Sequence, residues 1–189
     1  MPYTVTPTAL PEVLILQPQV HGDARGFFFE SFNQRDFAQA TGCDTPFVQD
    51  NHSLSRRGVL RGLHYQMQRP QGRLVRVLAG AVFDVAVDVR RSSANFGQWA
   101  SAIISAENQQ QIWIPPGFAH GFLVLSETAE FLYKTTDYYA PEHERSLLWS
   151  DPEIGIHWPL EPGLSPLLAA KDAAAPTLAA ALAAAQCYA

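Results

Sequence analysis

Two cysteines, Cys43 and Cys187, are all the thiol chemistry that these 189 residues offer, and neither sits in a C-x-x-C spacing. A disulfide framework and a structural zinc site therefore have no support, and a reducing cytoplasm fits. The six histidines include no H-x-H, so the paired imidazoles of a common metal motif are missing as well. Long apolar runs are also absent. Nothing approaches the ~20 residues that cross a bilayer, and Met1-Pro2-Tyr3-Thr4 has no basic stretch leading into an apolar one. Export and membrane insertion are not expected. Positive charge is scarce, with 13 Lys+Arg against 18 Asp+Glu and a formal net charge of -5. General nucleic-acid binding needs a broad basic surface, so an anionic ligand would have to meet a local basic cluster instead. No internal repeat, low-complexity linker or composition break divides the chain, and one domain over residues 1–189 is expected.

The composition is 47% hydrophobic and 16% charged, which suits a globular chain. The run Val13-Leu14-Ile15-Leu16 reads as a strand, His21 to Gly26 as a turn, and Phe27-Phe28-Phe29-Glu30 as a second strand. Asn33 stands as a cap before Phe37 and Ala40 at helical spacing, which predicts a helix to Thr41. From Pro46 short β-rich runs follow one another: 47–53, 59–66, 73–78, 81–89, 98–105, 111–114, 122–125 and 131–135. Many short strands with few helical patterns between them predict a mostly β jelly-roll barrel, its core spanning about residues 46–150. Ser165 to Ala189, rich in alanine and leucine, predicts a C-terminal helix lying on the barrel, with Pro176 placed to begin it.

Residues able to carry chemistry stand out against this frame. Val59 to Gln66 reads as a half-buried strand that contains Arg61 and His64, which strict alternation would send to opposite faces. If both serve one pocket, Gly62 must mark a bulge; a surface arginine and a core histidine are the plain alternative. Gln49, Asn51 and Ser53 share one face of a strand, either a solvent face or a pocket lined by amides that bind sugar hydroxyls and pyrimidine edges. Ile114 to Phe122 contains P-x-G-x-x-H ending at His120, the form of the second metal motif of cupin barrels, while His64 is followed two places on by Gln66 rather than by histidine. Tyr133 lies in a β run where a buried aromatic is the default, yet a phenol can also deliver a proton. Lys171-Asp172 is a charged pair in an alanine-rich stretch, usually a cap or a solvated corner.

Taken together, the segments Gly22 to Glu30, Gln49 to Ser53, Gly58 to Gln66, Phe83 to Arg90, Phe96 to Trp99, Ile114 to Phe122, Tyr133 to Tyr139, Trp149 to Pro152 and Lys171 to Pro176 resemble the dTDP-4-dehydrorhamnose 3,5-epimerase family over nearly the whole chain. The resemblance implies a metal-free, cofactor-free cupin-type jelly roll that forms homodimers. It would invert C3 and C5 of a dTDP-linked 4-keto-6-deoxyhexose in dTDP-L-rhamnose biosynthesis. By the same resemblance His64 is the base, Asp172 its partner and Tyr133 the acid. Arg25, Glu30, Gln49, Asp50, Asn51, Arg61, His120, Glu144 and Lys171 would contact substrate. Arg73 stands where many members have lysine near the enolate oxygen, so charge is kept while geometry and reach change. Single-carbon epimerases of related sugars, a metal cupin using His64 and His120, and a non-catalytic sugar-binding barrel are the alternatives.

Overall fold

The computed structural model describes residues 3–161 and 163–189. Met1 and Pro2, part of the segment read for an export signal, lie outside the described residues. In chain order the elements are β1 (Thr4–Pro7), β2 (Leu14–Gln17), β3 (His21–Asp23), β4 (Gly26–Phe28), α1 (Gln34–Thr41), β5 (Gln49–Arg56) and β6 (Leu60–Gln66). They continue with β7 (Arg73–Ala79), β8 (Ala81–Asp88), β9 (Trp99–Ser105), β10 (Gln111–Ile114), β11 (Phe118–Val124), β12 (Thr128–Thr135), β13 (Glu144–Ser146), α2 (Ala170–Ala173) and α3 (Leu178–Ala183). A six-stranded sheet runs β1-β2-β10-β7-β12-β5, and a five-stranded sheet runs β13-β6-β11-β8-β9. All pairings within them are antiparallel. From β5 onward the chain crosses between the sheets at nearly every connection, which wraps it into the predicted jelly roll.

The alternation of side chains explains how the layers close. On β8, Val82 and Ala86 face the interior with Val75, Ile112, Phe122 and Phe131, while Val85 and Val87 face outward. That outer face is covered by Leu147, Ile154, Leu178 and Ala181, so β8 is buried on both sides and reads as an almost unbroken apolar run. A third cluster, Leu16, Phe37, Leu74 and Trp113, packs α1 on the outside of the larger sheet. The α1 cap is as expected, with the Asn33 side chain accepting from the amides of Arg35 and Asp36.

Several boundaries differ from the sequence reading. The larger sheet recruits β1 and β2, outside the expected 46–150 core. His21–Asp23 pairs with Gly26–Phe28, so the stretch read as a turn is a hairpin whose turn is only Ala24 and Arg25. The alanine-rich segment holds two short helices rather than one. Pro176 lies between them, without an amide to continue the first, and Thr177 caps the second by accepting from the Ala180 amide. Among the described residues, no helix is long and apolar enough to cross a membrane.

Candidate active site

The register between β6 and β11 reads Leu60↔Leu123, Arg61↔Phe122 and then His64↔His120. Three steps along β6 therefore face two along β11, which is one extra residue in β6, a bulge. An unbroken pleat would point Arg61 and His64 apart; the extra residue resets the alternation and brings both to one cavity. Gly62 makes this possible. Its φ is 131°, a region that side chains avoid, and a Cβ there would stand 2.5 Å from Gly121 Cα and 2.9 Å from the His120 carbonyl oxygen. Across the pair, a Cβ on Gly121 would meet the Arg61 carbonyl oxygen at 2.8 Å. Two bare α-carbons let the strands approach where the bulge forms.

Two histidine–carboxylate pairs result. His64 Nε2 lies 2.7 Å from Asp172 Oδ1, joining β6 to α2 across 108 residues of sequence. Asp172 is buried, and its other oxygen accepts from the Gly62 amide at 3.4 Å. Burial alone would raise this carboxyl, but the His64 hydrogen bond and charge, the Gly62 amide and Lys171 outweigh it and hold the group below its ordinary value. Asp172 is thus neither the cap nor the solvated corner that its local sequence suggests. His120, the cross-strand partner of His64, has its Nε2 3.0 and 3.1 Å from the two oxygens of Asp84, which is fully buried. Among the described residues, no three of His, Cys, Asp and Glu gather into a set able to hold a metal ion.

The cavity measures about 410 Å³. Tyr133 enters it from β12, in the sheet facing His64. Gln49, Asn51 and Ser53 line it from the inner face of β5, so these side chains form a pocket wall and not a solvent face. Gln49 donates to Asn51 at 2.9 Å and accepts from the Tyr139 amide at 3.0 Å. Arg73, at the start of β7, is 9% exposed and donates from Nη1 to the His64 carbonyl at 2.9 Å. Burial pulls its guanidinium down from the usual value, and its Nε is buried with no hydrogen-bond partner among the described residues. Arg73 also lines the cavity, so part of its guanidinium borders the space a ligand would fill. Arg61 bonds Ser55 at 3.1 Å, and Lys171 pairs with Glu144 at 2.8 Å with half its side chain exposed. Arg61, Arg73 and Lys171 together form a local basic cluster in an otherwise acidic chain.

Three of the residues named from the resemblance do not line this cavity. Asp50 alternates with Gln49 and Asn51, so its side chain leaves on the opposite face of β5 and pairs with Lys134 at 2.9 Å. Arg25 belongs to the exposed β3–β4 hairpin and bonds Asp23, while Glu30 follows that hairpin. Conversely, the sequence reading gave no role to Tyr139, Gln66 or Phe131, all of which line the cavity. Tyr139 had a signal within the Tyr133 to Tyr139 motif; its half-exposed ring stands beside Glu144. Phe131 was legible only as core, and it stacks on Phe122 with centroids 4.0 Å apart.

The pattern of the dTDP-4-dehydrorhamnose 3,5-epimerase family matches residues 7–180. The dTDP-4-dehydrorhamnose 3,5-epimerase of Pseudomonas aeruginosa is 63% identical over 167 residues, which cover 88% of this chain and 91% of that one. Among solved structures, the 3,5-epimerase RmlC from Legionella pneumophila Philadelphia 1, in complex with dTDP-4-keto-L-rhamnose, superposes with a TM-score of 0.91 at 53% identity, over 94% of this chain and 93% of that one. ChmJ, a 3'-monoepimerase from Streptomyces bikiniensis in complex with dTDP-quinovose, reaches 0.90 at 37% identity, over 96% and 91%. In sequence and in fold, the chain belongs to the dTDP-4-dehydrorhamnose 3,5-epimerase family.

Proposed function

We propose that the chain inverts C3 and C5 of dTDP-4-dehydro-6-deoxy-D-glucose, giving dTDP-4-dehydro-L-rhamnose, with His64 as base and Tyr133 as acid. The observation that carries this reading is the Asp172-bound imidazole sharing one cavity with a phenol from the facing sheet. Hydrogens at C3 and C5 are acidified by the C4 ketone, and removing either leaves charge on the C4 oxygen. His64 takes the proton from one face of the sugar and Tyr133 returns one to the other face. Asp172 holds the imidazole in one tautomer and stabilises the imidazolium that forms. Arg73, whose guanidinium lines the cavity, stabilises the enolate oxygen. Gln49, Asn51, His120 and Glu144 orient the sugar and base, and Arg61 with Lys171 meets the diphosphate. No step moves a hydride, so no nicotinamide is required.

We further propose a homodimeric, cytoplasmic enzyme built as one catalytic unit. Both cysteines are free, as in a reducing compartment. Phe27 and Phe28 on the β3–β4 hairpin are 64% and 68% exposed, an apolar surface suited to a second copy. A hairpin laid on the partner would carry Arg25 and Glu30 to the partner's cavity, which reconciles their role with their distance from their own. The reaction is tested by incubating the purified chain with dTDP-4-keto-6-deoxyglucose in deuterium oxide and following C3 and C5. Exchange with inversion at both carbons is expected, and exchange at neither overturns the reading. Inversion at one carbon alone assigns the chain to the single-carbon epimerases, the activity for which ChmJ is named.

A further inference from the structure

The β6 strand is held by β13 along one edge. Leu63 and Leu147 exchange both backbone hydrogen bonds, at 3.3 and 2.9 Å, and the Met67 amide donates to His143 at 3.0 Å. Residues 63, 65 and 67 therefore turn their backbone groups toward β13, and His64 and Gln66 turn theirs to the other edge, where β11 runs. The β6–β11 register ends at His64↔His120, whereas β11 stays paired with β8 as far as Phe118↔Asp88. The Gln66 carbonyl thus emerges past the end of the ladder. Its donor is the hydroxyl of Tyr188.

Tyr188 reaches this position because its own backbone is pinned. Its amide donates to Val89 at 3.1 Å, its carbonyl accepts from the Arg91 amide at 3.0 Å, and its ring lies 5.9 Å from that of Tyr65. The Tyr65 hydroxyl in turn donates to the Gln186 carbonyl at 2.6 Å. Burial pushes the Tyr188 phenol up to about 12, so it remains a donor throughout the working pH range. Gln66 is well placed to pass the constraint on. Its amide donates to Arg69 and Tyr138 and accepts from the Ala140 amide at 2.8 Å, which ties the Tyr139 loop to β6. The family pattern, however, ends at residue 180, eight residues before this contact.

We propose that Tyr188 is a positioning residue of the active site, replacing the absent β11 partner at Gln66 and so fixing the end of β6 that carries His64 and the loop that carries Tyr139. The proposal rests on the epimerase reading above. Its test compares Tyr188→Phe, which keeps the ring and removes the hydroxyl, with Tyr65→Phe, which loosens the same tail without touching the Gln66 carbonyl. Turnover of the keto sugar, thermal midpoint and backbone hydrogen exchange over residues 63–67 are measured on both full-length chains. Tyr188→Phe is expected to lower kcat about 5- to 20-fold with a smaller change in KM, since small misplacements of reacting groups are costly. Its 63–67 amides exchange faster, while Tyr65→Phe lowers the midpoint comparably and leaves kcat unchanged. Unaltered kcat in Tyr188→Phe, or an equal loss in Tyr65→Phe, overturns the proposal. If the native chain itself fails to turn over, the epimerase reading falls, and the hydrogen-exchange comparison still decides the positioning role: unchanged exchange in Tyr188→Phe overturns it.

Discussion

The Asp172 carboxylate acts on His64 in two ways, as a fixed acceptor 2.7 Å from Nε2 and as a buried negative charge beside it. Replacing it by asparagine keeps the shape and removes the charge. If His64 is the base proposed above, Asp172→Asn is expected to reduce turnover on the order of 10²-fold or more, and His64→Ala by about 10²- to 10⁴-fold, the usual range for losing a general base. Nucleotide binding, measured by calorimetry with dTDP, should survive both changes; loss of binding instead would assign His64 a ligand role. If His64 is the base and Tyr133 the acid, Tyr133→Phe separates the two proton transfers. His64 can still exchange a proton with solvent on its own face, so deuterium incorporation should outlast inversion, and equal loss of both would remove Tyr133 as the acid. These residue types were legible locally, whereas the depressed carboxyl of Asp172 depends on a partner 108 positions away.

At the scale of the elements, the crossing of β6 and β11 decides whether a site exists. Gly62→Ala would place a methyl group 2.5 Å from Gly121 Cα at a φ of 131°. The strands must then separate or the bulge must vanish, and either outcome parts Arg61 from His64. We expect a thermal midpoint lowered by several degrees, corresponding to about 2 kcal/mol or more, with loss of turnover beyond what unfolding explains. Full activity in a folded Gly62→Ala chain would show that the bulge is not required. The sequence points to Gly62 as the residue that must distort the strand if Arg61 and His64 are to serve one pocket. That inference came from a conflict, two polar side chains on a strand that alternation sends apart, and such conflicts are where local patterning points to a site.

For the whole molecule, the hairpin and the acid response give the tests. If the β3–β4 hairpin completes a partner's cavity, Arg25→Ala and His64→Ala chains are each impaired but complement when dissociated and reassembled together. About a quarter of native activity should return, half the dimers being mixed and each holding one complete site. No recovery would return Arg25 to a role within its own chain. Acid stability follows from Asp88 and Asp172. In both, burial raises the carboxyl but hydrogen bonds outweigh it, from Arg90 and Ser93 at Asp88 and from His64 at Asp172, so each lies below its ordinary 3.8. Such a group stabilises the fold fully above its unfolded value and loses that contribution as pH falls through the depressed one. The thermal midpoint should therefore drop below about pH 4, and the drop should be shallower in Asp88→Asn; identical slopes would place the acid sensitivity elsewhere.

The sequence by itself determined the inventory and the local geometry. Alternation put Gln49, Asn51 and Ser53 on one face and Asp50 on the other, Asn33 capped α1, and the order of motifs specified the family. Only the tertiary structure decided which inner faces meet. The His64–Asp172 pair, the His120–Asp84 pair and the Tyr188 contact with Gln66 join residues 108, 36 and 122 positions apart. The first two depend on strand register and on the packing of α2, the third on where the β6–β11 ladder stops, and register is set by all the pairings of a sheet at once. A local run of residues reports its own propensity and its own alternation. It carries no record of the strand that will lie beside it.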